Sequence, residues 1–269
     1  MNSNIKQKEI EKEFVSKGFI IKDIINTSLL DKFRKSFLKV IYKDFSKNIK
    51  ALRLPDEDSA VLNNFHKFIA VNKLNSFRLK VYDYVNSLPE TREIYYSLCR
   101  DYLDIIIGNE LAIQQRINLS IQLPKDNSSL LPIHSDTWSG DSPFEIVVWL
   151  PLVDCFKTKS MYILKSSQEQ KVKNLFFNKK VRTSEEIYKK IKKDILWLNV
   201  KYGQVLIFNQ NLPHGNIINV ENETRWSLNC RFKGLFTPYG DKKIGEFFLP
   251  LNIKPASRIG MDYQYPKKI

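Results

Sequence analysis

Arg116-Ile117-Asn118-Leu119-Ser120-Ile121-Gln122-Leu123 alternates polar and apolar residues without a break. In an extended chain this sends Arg116, Asn118, Ser120 and Gln122 to one side and the four aliphatic residues to the other, whereas a helix would scatter both sets. The stretch therefore reads as a strand with one face on a core, and it lies where the character of the chain changes. Downstream, Phe144 to Val153, Met161 to Leu164, Ile195 to Val200, Gln204 to Asn209 and Arg225 to Phe236 read as further short strands. Upstream the spacing is helical: Lys8 to Lys17 carries Ile10, Phe14 and Val15, and a helix capped by Thr27 or Ser28 places Leu29, Leu30, Phe33, Phe37, Val40 and Ile41 on one face. Helical patterns also run through Phe77 to Val85 and Glu93 to Ile107, and only Gly18 to Ile24 interrupts them as a strand. A helical block followed by strands predicts an α+β, mainly β, fold: one domain over 1–269, with 1–107 a mainly helical scaffold on one outer face and 111–251 an antiparallel sandwich or barrel.

The 269 residues suffice for a full core, and 43% hydrophobic with 27% charged residues is an ordinary globular balance. No apolar stretch approaches the roughly 20 residues that cross a bilayer, so no membrane span is expected. The polar Lys/Glu-rich start, Met1 to Glu13, lacks the apolar segment of a secretory signal. Cys99, Cys155 and Cys230 are odd in number and lack metal-ligand spacing, which points to buried thiols in a reducing cytoplasm. A net charge of +14 favours anionic partners. Eleven lysines lie between Lys157 and Lys193, yet no compact basic block interleaved with aromatics occurs, so an anionic small-molecule substrate is expected rather than nucleic acid.

His66, His134 and His214 are the chain's three histidines. In His134-Ser135-Asp136 an extended backbone projects imidazole and carboxylate to the same side. His214 follows the strand ending at Asn209 and the turn Gln210-Asn211-Leu212-Pro213, and an antiparallel neighbour can bring it opposite that pair. Two histidines and one carboxylate make a facial triad for non-haem iron(II), although zinc accepts the same atoms and H-x-D with a later histidine also arises by chance. Arg225 stands eleven residues after His214, with Ser227 two further on and facing the same way on a strand. A planar guanidinium beside a hydroxyl binds a carboxylate in a fixed fork. Arg231, six residues on, shares that face, either as a second anion contact or as an ion partner at the strand end. His66 has no partner motif and reads as structural.

Together these residues resemble the phytanoyl-CoA dioxygenase-like branch of the Fe(II)/2-oxoglutarate oxygenases. Val148-Trp149-Leu150-Pro151-Leu152-Val153-Asp154, Ser160 to Leu164 and the opening Gly18 to Ile21 are similar to segments of that branch. Ser139 to Phe144 and Gly245 to Leu251 resemble oxygenases of bacterial surface-carbohydrate gene clusters. Leu164-Lys165-Ser166-Ser167-Gln168 departs from the branch's usual Pro-Gly-Ser-His type turn. The resemblance implies a double-stranded β-helix, a cupin-like jelly roll, with Fe(II) on His134, Asp136 and His214. It further implies that the distal carboxylate of 2-oxoglutarate sits on Arg225 and Ser227, with molecular oxygen as oxidant. Asn118 and Gln122 would then point into the barrel toward cosubstrate or substrate, or else form an exposed strand face, and Trp149 would wall the pocket or belong to the core. The implied reaction is hydroxylation of a small substrate, a sugar of surface-polysaccharide biosynthesis among the candidates. A cupin-like sugar isomerase or epimerase, and a non-catalytic basic binding protein on the same barrel, are the competing functions.

Overall fold

A computed structural model describes residues 3–53, 55, 57–177 and 181–266. Its strands are β1 (Phe19–Asp23), β2 (Leu111–Gln114), β3 (Asn118–Gln122), β4 (Ile146–Pro151), β5 (Tyr162–Leu164), β6 (Ile195–Trp197), β7 (Gln204–Asn209), β8 (His214–Gly215), β9 (Arg225–Gly234) and β10 (Phe248–Asn252). They form two antiparallel sheets of a double-stranded β-helix. The larger runs β1-β7-β4-β9-β2-β10, with β3 also paired to β9, and the smaller runs β6-β5-β8.

Strand β9 organises the larger sheet. Trp226, Leu228, Cys230 and Phe232 point to one side and are at most 1% exposed, so by alternation Arg225, Ser227, Asn229 and Arg231 point to the other. The register sets Asn118 opposite Asn229, Ser120 opposite Ser227 and Gln122 opposite Arg225 on β3, and Trp149 opposite Asn229 on β4. The polar side of β3, Asn118, Ser120 and Gln122, therefore faces the barrel interior together with the polar side of β9, while Arg116 precedes the strand and pairs with Asp83 at the surface.

The apolar side is covered by the N-terminal helices α1 (Ser3–Lys17), α2 (Thr27–Ala51), α3 (Asp58–Asn63), α4 (Val71–Ser87), α5 (Thr91–Ser97) and α6 (Arg100–Ile106). Leu30, Phe33, Phe37 and Ile41 of α2 and Phe77, Val81 and Val85 of α4 share one core with Trp226 and Phe232. Polar tips are satisfied within it: Tyr95 Oη donates to the Val148 carbonyl at 2.9 Å, and Trp226 Nε1 to that of Leu62 at 3.1 Å. Among the described residues no helix is long and apolar enough to cross a membrane.

Two features depart from the sequence expectations. Asn26, rather than Thr27 or Ser28, caps α2: its Oδ1 accepts the Leu29 N–H at 2.9 Å. Asn26→Ala is expected to cost about 1 kcal/mol, a fall of about 2 to 4 °C in Tm; an unchanged thermal unfolding curve would show the cap to be energetically silent. Helices are also not confined to the N-terminal block. Within the Lys-rich segment, α7 (Glu169–Phe177) and α8 (Ser184–Ile191) back the smaller sheet, where Val172, Ile187 and Ile191 pack with Tyr162 and Leu164.

Candidate metal centre and anion pocket

The segment 134–136 runs antiparallel to 210–214. His134 and His214 form an isolated bridge, each N–H donating to the other's carbonyl at 3.0 and 2.8 Å, and the Asp136 N–H donates to the Gln210 carbonyl at 3.3 Å. Extended Ser135 sends His134 and Asp136 to one side, as the H-x-D spacing requires. Gly215 permits the close packing: a Cβ there would lie 2.7 Å from Tyr162 Oη and 2.8 Å from the Leu131 carbonyl.

The ligand atoms of His134, Asp136 and His214 all lie within 4.8 Å of one another. His134 Nδ1 is 2.8 Å from the Pro132 carbonyl and His214 Nδ1 is 2.9 Å from that of Leu212. A carbonyl only accepts, so both Nδ1 atoms carry the proton, and each ring is fixed with Nε2 free to face its neighbours. His134 Nε2 and Asp136 Oδ1 face each other at 3.4 Å, an arrangement that a shared cation stabilises.

Burial acts oppositely on the carboxylate and the inner imidazole. It raises the Asp136 carboxyl, but the close approach of the His134 ring and the charge of Arg231 outweigh it and hold the group well below the usual carboxylate range. Burial, reinforced by neighbouring His134, pushes His214 down to about 4. At neutral pH the pair therefore offers an anionic oxygen and a neutral nitrogen, the states in which metal ligands bind.

A cavity of about 650 Å³ opens beside the triad and is lined also by Asn118, Trp149, Arg225, Ser227 and Arg231. Arg225, 3% exposed, donates from Nη1 to the Ser160 carbonyl at 3.0 Å and from Nη2 to Ser120 Oγ at 3.1 Å. Its Nε and the Ser227 hydroxyl are buried without a hydrogen-bond partner. Burial pulls the guanidinium down to about 10, so it stays charged at neutral pH, and among the described residues it forms no ion pair. A buried cation beside an unsatisfied hydroxyl is costly unless an anion completes it. The site thus fits a keto acid whose carboxylate arm reaches Arg225.

Asn118 and Trp149 lie on the cavity wall, with Asn118 Nδ2 donating to Asn229 Oδ1 at 2.9 Å. Gln122 does not. It is fully buried behind the wall, donates to the Ile217 carbonyl at 2.7 Å and leaves its Oε1 unpartnered. His66 lies apart on the helical side, its Nδ1 3.1 Å from Thr224 Oγ1. Arg231 resolves as an ion partner, its Nη2 donating to Asp136 Oδ2 at 2.8 Å while its Nε donates to Gln210 Oε1 at 3.2 Å. It holds one carboxylate oxygen so that the other faces His134. The spacing from Arg225 places Arg231 on this face, but no sequence signal marks Gln210 or the Ser160 carbonyl.

No protein-family model matches the chain, and no curated protein matches it by sequence. Solved structures match in fold. A non-heme monooxygenase, ThoJ in its nickel complex, superposes with a TM-score of 0.56 at 12% identity, covering 92% of this chain and 85% of its own. SnoK, a non-heme alpha ketoglutarate dependent carbocyclase from nogalamycin biosynthesis, gives 0.52 at 13% identity, covering 91% of this chain and 96% of its own. EctD from S. alaskensis in its apoform gives 0.52 at 15%, covering 89% and 79%. The chain shares the fold of these three proteins.

Proposed function

We propose that this chain is a cytoplasmic Fe(II)- and 2-oxoglutarate-dependent dioxygenase, folded as one domain over 1–269, that hydroxylates a small anionic substrate. A sugar of surface-polysaccharide biosynthesis is the candidate class. The carrying observation is that one cavity contains both an open two-histidine, one-carboxylate set and a buried arginine with no anion of its own. A cupin-like isomerase needs a metal site but no second carboxylate receptor, and a defunct barrel needs neither.

In this reading His134 and His214 would hold iron through Nε2 and Asp136 through Oδ1, a donor set that suits non-haem iron(II). Bound iron supplies the centre at which 2-oxoglutarate and oxygen become succinate and carbon dioxide while a substrate C–H becomes C–OH. Arg225 and Ser227 would receive the distal carboxylate and so orient the keto acid in the cavity. Gln122 backs Arg225 across the β3–β9 pair, while Trp149 and Asn118 bound the space and keep water from it. Arg231 keeps Asp136 oriented through the cycle.

Protein loaded with Fe(II) and 2-oxoglutarate is expected to release succinate only when oxygen is admitted, slowly without substrate and faster with the right anionic sugar. Oxygen-independent conversion of a sugar, with no succinate, would assign the barrel to isomerase chemistry instead.

A further inference from the structure

The cavity carries more positive charge than the metal chemistry uses. Arg78, Arg225 and Arg231 line it, against the single lining carboxylate Asp136. Arg231 is paired with Asp136, and Arg225 is assigned to the cosubstrate. Arg231 also faces Asp141 and Glu145 at 3.7 and 3.9 Å, so of the three lining guanidiniums Arg78 alone has neither an acidic partner among the described residues nor a part in the metal chemistry.

Arg78 projects from α4 and, among the described residues, donates only to neutral oxygens, from Nη2 to Asn75 Oδ1 at 2.6 Å and from Nη1 to Ser129 Oγ at 3.3 Å. Among the described residues it forms no ion pair. Asp83, five residues on, pairs with Arg116, which also lies over the Tyr82 ring at 4.3 Å. Arg34 of α2 likewise contacts both Asp31 and Asp58.

The residue that steadies Arg78 is tied to the segments that carry His134 and His214. Ser129 Oγ donates to the Ile121 carbonyl at 2.8 Å, and the Ser129 carbonyl accepts from Asn216 Nδ2 at 3.3 Å. Asn216 lies two residues beyond His214 and also accepts the Leu131 N–H through Oδ1 at 2.6 Å. The guanidinium therefore stands at a set place on the wall of the cavity that the metal ligands share, with donor capacity to spare.

We propose that Arg78 is a substrate-recognition residue that takes the carboxylate or phosphate of the molecule to be oxidised; the inference rests on the oxygenase reading above. A guanidinium serves both oxyanions, and in a cavity partly closed to water the pairing is stronger than on an open surface.

The test uses full-length protein loaded with Co(II) and saturating 2-oxoglutarate, so that Arg225 is occupied. The metal-to-ligand band of the keto acid is recorded first on anaerobic Fe(II)-loaded wild type and Arg78→Met: a wild type that binds no 2-oxoglutarate defeats the oxygenase reading, whereas equal bands in both certify intact sites. Glucose, glucuronate and glucose 1-phosphate are then titrated, following the paramagnetic relaxation of their protons by Co(II). Saturable relaxation is expected for at least one of the two anions and not for glucose, and which anion responds distinguishes a carboxylate from a phosphate. Arg78→Met should weaken that binding about ten- to a hundredfold, the scale of a lost charge-assisted hydrogen bond, and Arg78→Lys should restore part of it. Anions that bind Arg78→Met as well as wild type, that bind wild type no better than glucose, or that do not bind it at all, overturn the proposal with the 2-oxoglutarate band still in place.

Discussion

Replacing Arg225 with alanine will weaken 2-oxoglutarate binding by roughly thirty-fold to several thousand-fold and leave iron binding in place. The arm of the cosubstrate would meet a guanidinium that is 3% exposed, and truncating one member of a buried charge pair costs about 2 to 5 kcal/mol, at about 1.4 kcal/mol per decade of affinity. Most of that cost is the carboxylate left in a dry pocket without its partner. Arg225→Lys should recover only a fraction, because an ammonium cannot donate to Ser160, Ser120 and the ligand as the planar fork does. Ser227→Ala removes a single hydroxyl that has no other partner, and should cost about 0.5 to 3 kcal/mol depending on the charge of the acceptor. The measurement is anaerobic titration of Fe(II)-loaded protein followed at the metal-to-ligand band, with thermal unfolding as the check that Arg225→Ala is folded. Normal binding by Arg225→Ala, with binding lost in Arg231→Ala, would move the carboxylate receptor to the second arginine.

The alternation at 116–123 was legible because the barrel interior is polar on one side and the helical layer apolar on the other, so period two survives in the residues themselves. The same logic exposes Arg225, Ser227 and Arg231 as one face of β9. What cannot be read locally is depth. Asn118 and Gln122 sit on the same face of β3, yet Asn118 lines the cavity while Gln122 is sealed behind it by the segment that contributes Ile217. Nothing in the pair of residues encodes that difference, which arises from a chain segment about a hundred residues away. The α7 and α8 helices were hidden for a different reason: each is short and lies among lysines, so Ile187 and Ile191 give only one turn of helical spacing. Asn26 is not distinguishable locally because Thr27 and Ser28 also carry capping side chains, and only the backbone bend decides which residue precedes the first turn.

Arg231 shows how the site's parts depend on one another. A buried carboxylate with two imidazoles on one side needs its other oxygen held, and Nη2 of Arg231 does this at 2.8 Å. Its remaining acid neighbours, Asp141 and Glu145, lie 3.7 and 3.9 Å from its Nε. Asp141 is also shared with Lys242. The guanidinium therefore sits in an acidic surround that compensates it without taking it away from Asp136. This distinguishes the two arginines of β9: Arg231 is ion-paired within the protein, whereas Arg225 has no ion pair among the described residues and keeps its Nε unpartnered.

The second large effect is on the metal itself. His134→Ala, Asp136→Ala and His214→Ala are each expected to abolish measurable Fe(II) binding, because a facial site has three protein ligands and loses a third of them with any one change. His66→Ala, whose ring is engaged with Thr224 on the helical side, should bind iron like wild type. Calorimetry with Fe(II) or Co(II) under anaerobic conditions reads the result, and unchanged affinity in any of the three variants would remove that residue from the triad. His214 supplies an independent readout in the metal-free protein. Its folded pKa, about 4, lies below the unfolded value of 6.5, so between those two pH values the unfolded chain binds a proton that the folded one does not. Its contribution is complete above about pH 6.5 and is lost as pH falls toward 4. Wild-type stability should therefore decline through that window on acidification, and the decline should be shallower in His214→Ala, since alanine has no proton to gain. A wild-type profile that is flat from 6.5 to 4 would mean that His214 is not the buried, neutral imidazole that the metal site requires.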